Sequence, residues 1–295
     1  THYLIYTNKT KILAAMKIGI IGAGVMGRGI AQVSATAGHQ VVLFEINDEV
    51  LQIAKTSITG NLSKALELGK IDAESVATTH ENICYSNNIA DVEVDLVIEA
   101  IVEKLEVKIT VLSQLAEING PSTVYASNTS SIPLTQIAAN FAYPTQVVGI
   151  HYFNPAHIMK LVEVISAEQT SSEVLQIAKN YVASVNKTCI VAKDAPGFIV
   201  NRVARNFYVE GLKLAEENVA SYEVIDDLVR ASGFKMGPFE LMDLIGVETN
   251  LSVTQSMYEL FNYDPKFRPN RIQQKIVQAG YFGRKTGKGF YTYEK

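Results

Sequence analysis

The sequence predicts an α/β domain built on a doubly wound, largely parallel sheet, followed by an all-helical C-terminal domain. Three observations lead there. Short apolar runs alternate with helical stretches through roughly the first 190 residues, the pattern of a parallel sheet covered on both faces. A glycine-rich turn, Gly22-Ala23-Gly24-Val25-Met26-Gly27, follows the first apolar run and opens the first helical stretch. After Asp194-Ala195-Pro196-Gly197 nearly everything reads as helix with polar turns.

The elements follow in order. Residues 17–21 (KIGII) form an apolar run ending at glycine and read as a buried first strand. A helix is expected over 25–37, with Gly38 as its stop. Residues 40–45 (QVVLFE) are the second strand, and 48–68 an amphipathic helix ended by Gly69. Residues 95–99 (DLVIE) are a further strand, followed by a charged helix over 103–117. Strands are expected at 123–127, 146–152, 161–165 and 188–192, then helices at 198–218, 224–232, 238–245, 248–260 and 271–279. The domains are therefore 16–193 and 194–295, with 1–15 an extension or leader.

Composition narrows the function. Apolar content of 47% and charged content of 19% are those of a globular chain. A net charge of -4 argues against a nucleic-acid binder. No apolar run is long enough to span a membrane. Cys84 and Cys189 fit neither a disulfide framework nor a metal cluster. They read as small buried apolar residues, in a reducing, cytoplasmic setting. No metal is expected.

The glycine turn sits where a dinucleotide site requires it, between a strand and a helix. Gly22 allows the tight turn, Gly24 admits the pyrophosphate to the backbone, and Gly27 lets helix and strand pack closely. Val25 and Met26 open a helix whose N–H groups and positive dipole end would meet the phosphates. Glu45 ends the second strand, 21 residues after Gly24, placed to accept from the ribose hydroxyls and to repel a 2′-phosphate. NAD is therefore the expected cofactor, on a Rossmann-type domain. Glu103 and Lys108 follow a strand end and face the cofactor crevice, or else form a solvated helix face.

Ser127-Asn128-Thr129-Ser130-Ser131 follows another strand end. Its hydroxyls and amide suit a carbonyl or a carboxamide; alternatively Ser130 or Ser131 caps a helix. Of five histidines, His2, His39, His80, His151 and His157, only His151 closes an apolar strand and precedes an Asn154-Pro155 turn. Histidine titrates near neutrality and can take a proton from an alcohol. Glu163, on the next strand, can hold the far ring nitrogen. Asn201 opens the helical domain, where it serves either a substrate carbonyl or an interdomain hydrogen bond.

Together the motifs GAGVMGRGIAQ (22–32), EAIVE (99–103), SNTSS (127–131), HYFNP (151–155), MKLVE (159–163), DAPGFIVNR (194–202), MGPFELMD (236–243) and FGRKTGKGFY (282–291) resemble the L-3-hydroxyacyl-CoA dehydrogenases, especially the short bacterial 3-hydroxybutyryl-CoA dehydrogenases. The resemblance runs from Met16 to the C-terminus. It implies His151 as catalytic base and Glu163 as its orienting carboxylate. It implies Ser130 and Asn201 at the reacting oxygen, Glu45 at the ribose, Glu103 and Lys108 at the cofactor, and Asn128 beside the nicotinamide. Asn154 and Lys64 fall among the substrate contacts, Lys64 in a helical excursion that meets CoA. A homodimer through the helical domain is also implied.

The implied reaction is NAD-dependent oxidation of a short-chain L-3-hydroxyacyl-CoA to the 3-oxoacyl-CoA, with His151 removing the hydroxyl proton as C3 is oxidised. Three other readings stand beside it. A 3-hydroxyadipyl-CoA dehydrogenase would act on a dicarboxylic thioester. Relatives acting on free hydroxy acids or sugar acids tend to carry HPVNP where this chain has HYFNP. An NAD-binding sensor or structural protein would be expected to lack one of Ser130, His151, Glu163 and Asn201.

Overall fold

The computed structural model describes residues 15–294. The reading of 1–15 as an extension or leader falls, apart from Ala15, outside them. The chain divides into two compact units at Asp194/Ala195.

The first unit is an eight-stranded sheet between helices. In chain order it comprises β1 (Lys17–Ile21), α1 (Val25–Thr36), β2 (Gln40–Phe44), α2 (Asp48–Glu67), α3 (Ala73–Glu81), β3 (Ile83–Ser86), β4 (Leu96–Glu99) and α4 (Leu105–Asn119). It continues with β5 (Val124–Ser127), α5 (Leu134–Ala139), β6 (Val147–Tyr152), β7 (Leu161–Ser166), α6 (Ser172–Ser184) and β8 (Thr188–Lys193). The order across the sheet is β3-β2-β1-β4-β5-β6-β7-β8. Strands β1 to β6 are parallel; β7 runs antiparallel to β6, and β8 parallel to β7. Strand order reverses between β1 and β4, the position where an open α/β sheet forms its ligand crevice at the carboxyl ends of the strands.

Strands β4, β5 and β6 are buried along their whole length, because helices cover both faces. Ile18, Ile20, Leu43, Leu96, Ile98, Val148 and Ile150 pack into one core with Ile30, Ile58 and Val182 of the helices. Local chemistry fixes the helix starts. Asn47 caps α2 by accepting from the N–H groups of Glu49 and Val50, and Ser171 caps α6 through the N–H of Val174. Three buried hydroxyls, Ser34, Tyr181 and Tyr152, form a chain at 2.8 and 2.9 Å that joins α1, α6 and β6.

Two expectations need correction. Cys84 is exposed and Cys189 half-buried, not small core residues. Cys84 stands on β3 and Cys189 on β8, the two edge strands of the sheet among the described residues. The helix expected from 103 begins at Leu105, so Glu103 lies in the preceding loop.

The second unit contains α7 (Val200–Glu216), α8 (Tyr222–Ala231), α9 (Pro238–Ile245), α10 (Val247–Leu260) and α11 (Arg271–Gln278), followed by a looped tail with isolated β-bridges. Tyr208, Leu212, Ile225, Phe239 and Met242 form its core. Two buried carboxylates fasten the tail. Asp243 accepts from the N–H groups of Phe290 (2.9 Å) and Tyr291 (3.0 Å) and from the Tyr293 hydroxyl (2.9 Å). Asp226 accepts from the N–H groups of Phe239 and Glu240 and from the Tyr291 hydroxyl. Burial pushes the Asp226 carboxyl up, and these donors counter it only in part. No helix among the described residues is long and apolar enough to cross a membrane.

Candidate active site

The glycine turn lies between β1 and α1. Gly22 adopts φ +95° and donates its N–H to Phe44 O at 2.8 Å. A Cβ on Gly27 would lie 1.7 Å from Gly22 O, so turn and helix meet too closely for any side chain there. Gly24 differs: a Cβ on it would meet nothing within 4 Å. Its bare backbone faces open space at the N-terminus of α1, whose first turn, including Val25 and Met26, holds no acidic residue. Glu45, just past β2, accepts from Ala23 N–H at 3.2 Å and from Asn47 N–H at 3.3 Å, so its carboxylate lies against the turn. An open glycine backbone, unneutralised helix N–H groups and an adjacent acid fit the pyrophosphate and ribose of NAD.

At the carboxyl ends of β4 and β5 lies a charged cluster. Lys108 is 1% exposed, and its Nζ stands 2.7 Å from Glu99 Oε1 and 3.1 Å from Glu103 Oε2. Glu99, fully buried, also accepts from Ile101 N–H (2.8 Å) and the Ser127 hydroxyl (2.6 Å). Glu103 Oε1 in turn gathers the loop after β5, accepting from the Thr129 hydroxyl (2.6 Å), the Ser130 N–H (2.9 Å), and the Ser131 N–H and hydroxyl (3.1 and 3.0 Å). Burial acts to raise the Glu103 carboxyl, but the Lys108 charge and the loop donors outweigh it and hold the group below its ordinary value. Lys108 and Glu103 therefore do not form a solvated helix face. Nor does Ser130 or Ser131 cap a helix: α5 has no side-chain cap, and the Thr129 hydroxyl accepts from Ile132 N–H instead. Sequence reasoning missed Glu99 and Thr129. An acid closing an otherwise apolar strand was the available signal for Glu99.

His151 is the penultimate residue of β6, and Glu163 faces it across the antiparallel ladder. Both are buried, with His151 Nδ1 and Glu163 Oε2 2.8 Å apart. The Phe153 ring meets the imidazole edge-on at 4.7 Å between centroids. Asn128 Oδ1 accepts from Tyr152 N–H at 2.8 Å, tying the loop after β5 to the end of β6. The turn, Glu45, the Glu99 cluster, the serine loop and His151 all sit at the same, carboxyl edge of the parallel strands. Asn154 is exposed just beyond β6, where the Asn154–Pro155 peptide is cis. Lys64 is exposed in the last turn of α2, remote in sequence and element from that edge. Asn201 is half-buried in the first turn of α7, in the second unit. Among the described residues no His/Cys/Asp/Glu cluster could hold a metal.

A doubly wound dinucleotide domain carrying a buried His–carboxylate pair at its crevice edge defines a nicotinamide-dependent oxidoreductase. Comparison with known proteins gives the family. The family model "3-hydroxyacyl-CoA dehydrogenase, NAD binding domain" matches residues 17–195, and "3-hydroxyacyl-CoA dehydrogenase, C-terminal domain" matches residues 197–293. The chain belongs to the 3-hydroxyacyl-CoA dehydrogenase family. A 3-hydroxyadipyl-CoA dehydrogenase of Escherichia coli (strain K12) is 44% identical over 276 residues, covering 93% of this chain and 58% of that protein. The chain thus spans little more than half the length of that relative. A probable 3-hydroxybutyryl-CoA dehydrogenase of Deinococcus radiodurans is 40% identical over 280 residues, covering 94% of this chain and 100% of the relative. The crystal structure of (S)-3-hydroxybutyryl-CoA dehydrogenase from Ralstonia eutropha superposes with a TM-score of 0.90 at 37% identity, covering 95% of this chain and 99% of that one.

Proposed function

We propose that the protein oxidises a short-chain L-3-hydroxyacyl-CoA, such as 3-hydroxybutyryl-CoA, reversibly to the 3-oxoacyl-CoA. The observation that carries this reading is the buried His151–Glu163 pair at the edge that also bears the glycine turn. NAD bound at Gly22–Gly27 and Glu45 supplies the two-electron acceptor. His151 takes the hydroxyl proton: Glu163 holds Nδ1, so the opposite nitrogen, Nε2, is the one presented to substrate. The Glu163 carboxylate then offsets the imidazolium charge, which would otherwise be costly in a buried site. Ser130, positioned by Glu103, donates to the reacting oxygen; Asn201 is proposed as a catalytic residue on the resemblance of its motif alone. In the opposite direction His151 returns the proton as the ketone is reduced.

Asn128, Glu103 and Lys108 shape the cofactor side of the site, while Asn154 and Lys64 serve the thioester substrate. The protein is assigned to the cytoplasm, and it works as a homodimer through the helical unit, where Val203, Leu228 and Phe234 expose large apolar surface. The test is loss of NADH absorbance with acetoacetyl-CoA, with NADPH and free acetoacetate in parallel. Turnover that requires both NADH and the thioester supports the reading. Activity only on the free acid transfers the protein to the hydroxy-acid branch, and binding of NADH without turnover makes it a sensor.

A further inference from the structure

Two carboxylates share one cation at the carboxyl ends of β4 and β5. Lys108 pairs with Glu99 at 2.7 Å and with Glu103 at 3.1 Å, and among the described residues it is the single cation within ion-pair distance of either acid. Both acids are ionised, because each accepts from groups that can only donate. Glu99 accepts from Lys108 and the Ile101 N–H, and Glu103 from Lys108 and the N–H groups of Ser130 and Ser131. The cluster therefore sets two negative charges against one positive. The amino end of α4 beside it adds about half a positive charge, too little to cancel the excess. Lys104 and Glu106 on the same segment are exposed and opposite in sign, so they leave the balance unchanged. Glu99 and Lys108 are buried, where charge is screened far less than at the surface.

The strand order puts this excess in the cofactor crevice. Glu45 lies past β2 and the glycine turn follows β1, so the adenosine ribose and the pyrophosphate that they fit belong to that side of the switch point. The other half of the dinucleotide, the nicotinamide, then belongs to the side of β4 and β5, whose last residues are Glu99 and Ser127. The nicotinamide ring is a cation when oxidised and neutral once it has accepted a hydride. A fixed negative excess on that side tells the two forms apart.

We infer that Glu99 and Glu103 set the relative affinity of the site for the two forms of its cofactor: their uncompensated charge favours NAD+ over NADH and biases the bound couple toward its oxidised form. The inference rests on the cofactor binding proposed at the glycine turn.

The experiment measures Kd for NAD+ and for NADH by calorimetry, with no acyl substrate present, in the wild type, Glu99→Gln, Glu103→Gln, Glu103→Asp and, as control, Gly24→Ala. Each glutamine variant removes one negative charge and should raise the ratio Kd(NAD+)/Kd(NADH) by about 5-fold or more, the size expected between unit charges some 10 Å apart in an effective dielectric of about 20 to 40. Glu103→Asp keeps the charge and should keep the wild-type ratio even where both affinities fall. Gly24→Ala should weaken both forms alike, since both carry the same pyrophosphate. A ratio unmoved in the glutamine variants overturns the inference, and so does an equal loss of affinity for both forms, the result expected if the acids only hold the serine loop. Glu103, 36% exposed, supplies the deciding variant should Glu99→Gln fail to fold. Wild-type affinity for both forms in Gly24→Ala overturns the cofactor placement at the turn, and the inference with it; a weakened Gly24→Ala beside an unmoved ratio in the glutamine variants sinks the inference alone.

Discussion

His151 and Glu163 are direct register partners across β6 and β7, the one antiparallel step in the described sheet, and their side chains meet at 2.8 Å inside the protein. Backbone pairing thus fixes the separation of imidazole and carboxylate before either side chain chooses a rotamer. His151→Ala should leave NADH binding near its wild-type value and lower turnover by about 10²–10⁴-fold. Glu163→Gln should act in the same direction with a smaller loss, because the amide still accepts from the ring but carries no charge. Fluorescence titration of NADH alongside steady-state kinetics separates the two effects; loss of binding equal to loss of turnover would remove His151 from the chemistry.

The two glycines that end the turn motif answer to different demands. A methyl at Gly27 collides with Gly22 O, whereas one at Gly24 meets only open space. Gly27→Ala should therefore lower the melting temperature and cofactor affinity together. Gly24→Ala should melt within about 2 °C of wild type, since surface changes of this kind shift stability little. It should nonetheless bind NADH at least about 10-fold more weakly, because the methyl occupies the pyrophosphate's approach. Unchanged NADH affinity in Gly24→Ala would place the phosphates elsewhere.

Glu103 provides a pH signature. Its folded pKa lies below the ordinary value of 4.5, so its stabilising contribution is complete above that value and disappears as pH falls through the lower folded one. The stability difference between wild type and Glu103→Gln should be constant at neutral pH and shrink on acidification below about pH 4.5. Urea denaturation at a series of pH values measures it. A difference that stays flat into strong acid would mean the loop contacts do not depend on the charge. Glu103→Gln should also lower turnover, because the carboxylate gathers the serine loop.

Asp243 leaves no space beside it for a larger tail residue. A Cβ on Gly289 would fall 2.0 Å from Asp243 Oδ1. Gly289→Ala should destabilise the protein by about 2 kcal/mol or more, as overpacking a buried polar contact does. Thermal denaturation checks this, and a melting point equal to wild type would show that the tail can detach without cost.

Much of the sheet was legible because its inner strands are two-sided apolar runs, as in 95–99 and 146–152. The helix Ala73–Glu81 and strand Ile83–Ser86 were not: the first is largely polar, and the second is a short edge strand with only two buried residues. The helix Ser172–Ser184 passed unnoticed although Ser171 gave it a capping signal. The antiparallel turn of β7 was implicit in the chain, since eight residues between Tyr152 and Leu161 are too few for a parallel crossover. At the site, His151, Glu163 and the glycine turn stood out by residue type and position. Glu99 did not, because its meaning comes from Lys108 and Ser127, partners that only the folded sheet brings to it.

The fastening of the tail bears on the order in which the chain acquires its structure. The sheet has all its strands once Lys193 has been synthesised. Asp226 and Asp243 must wait for Phe290, Tyr291 and Tyr293, about a hundred residues later, before their sockets fill. During synthesis the dinucleotide domain can thus mature early, while Asp243 lacks its three tail donors, and Asp226 one of its three, until Tyr293 has been added. A ribosome stalled shortly before Phe290 would hold a chain whose cofactor domain is complete and whose helical unit stays open to proteolysis.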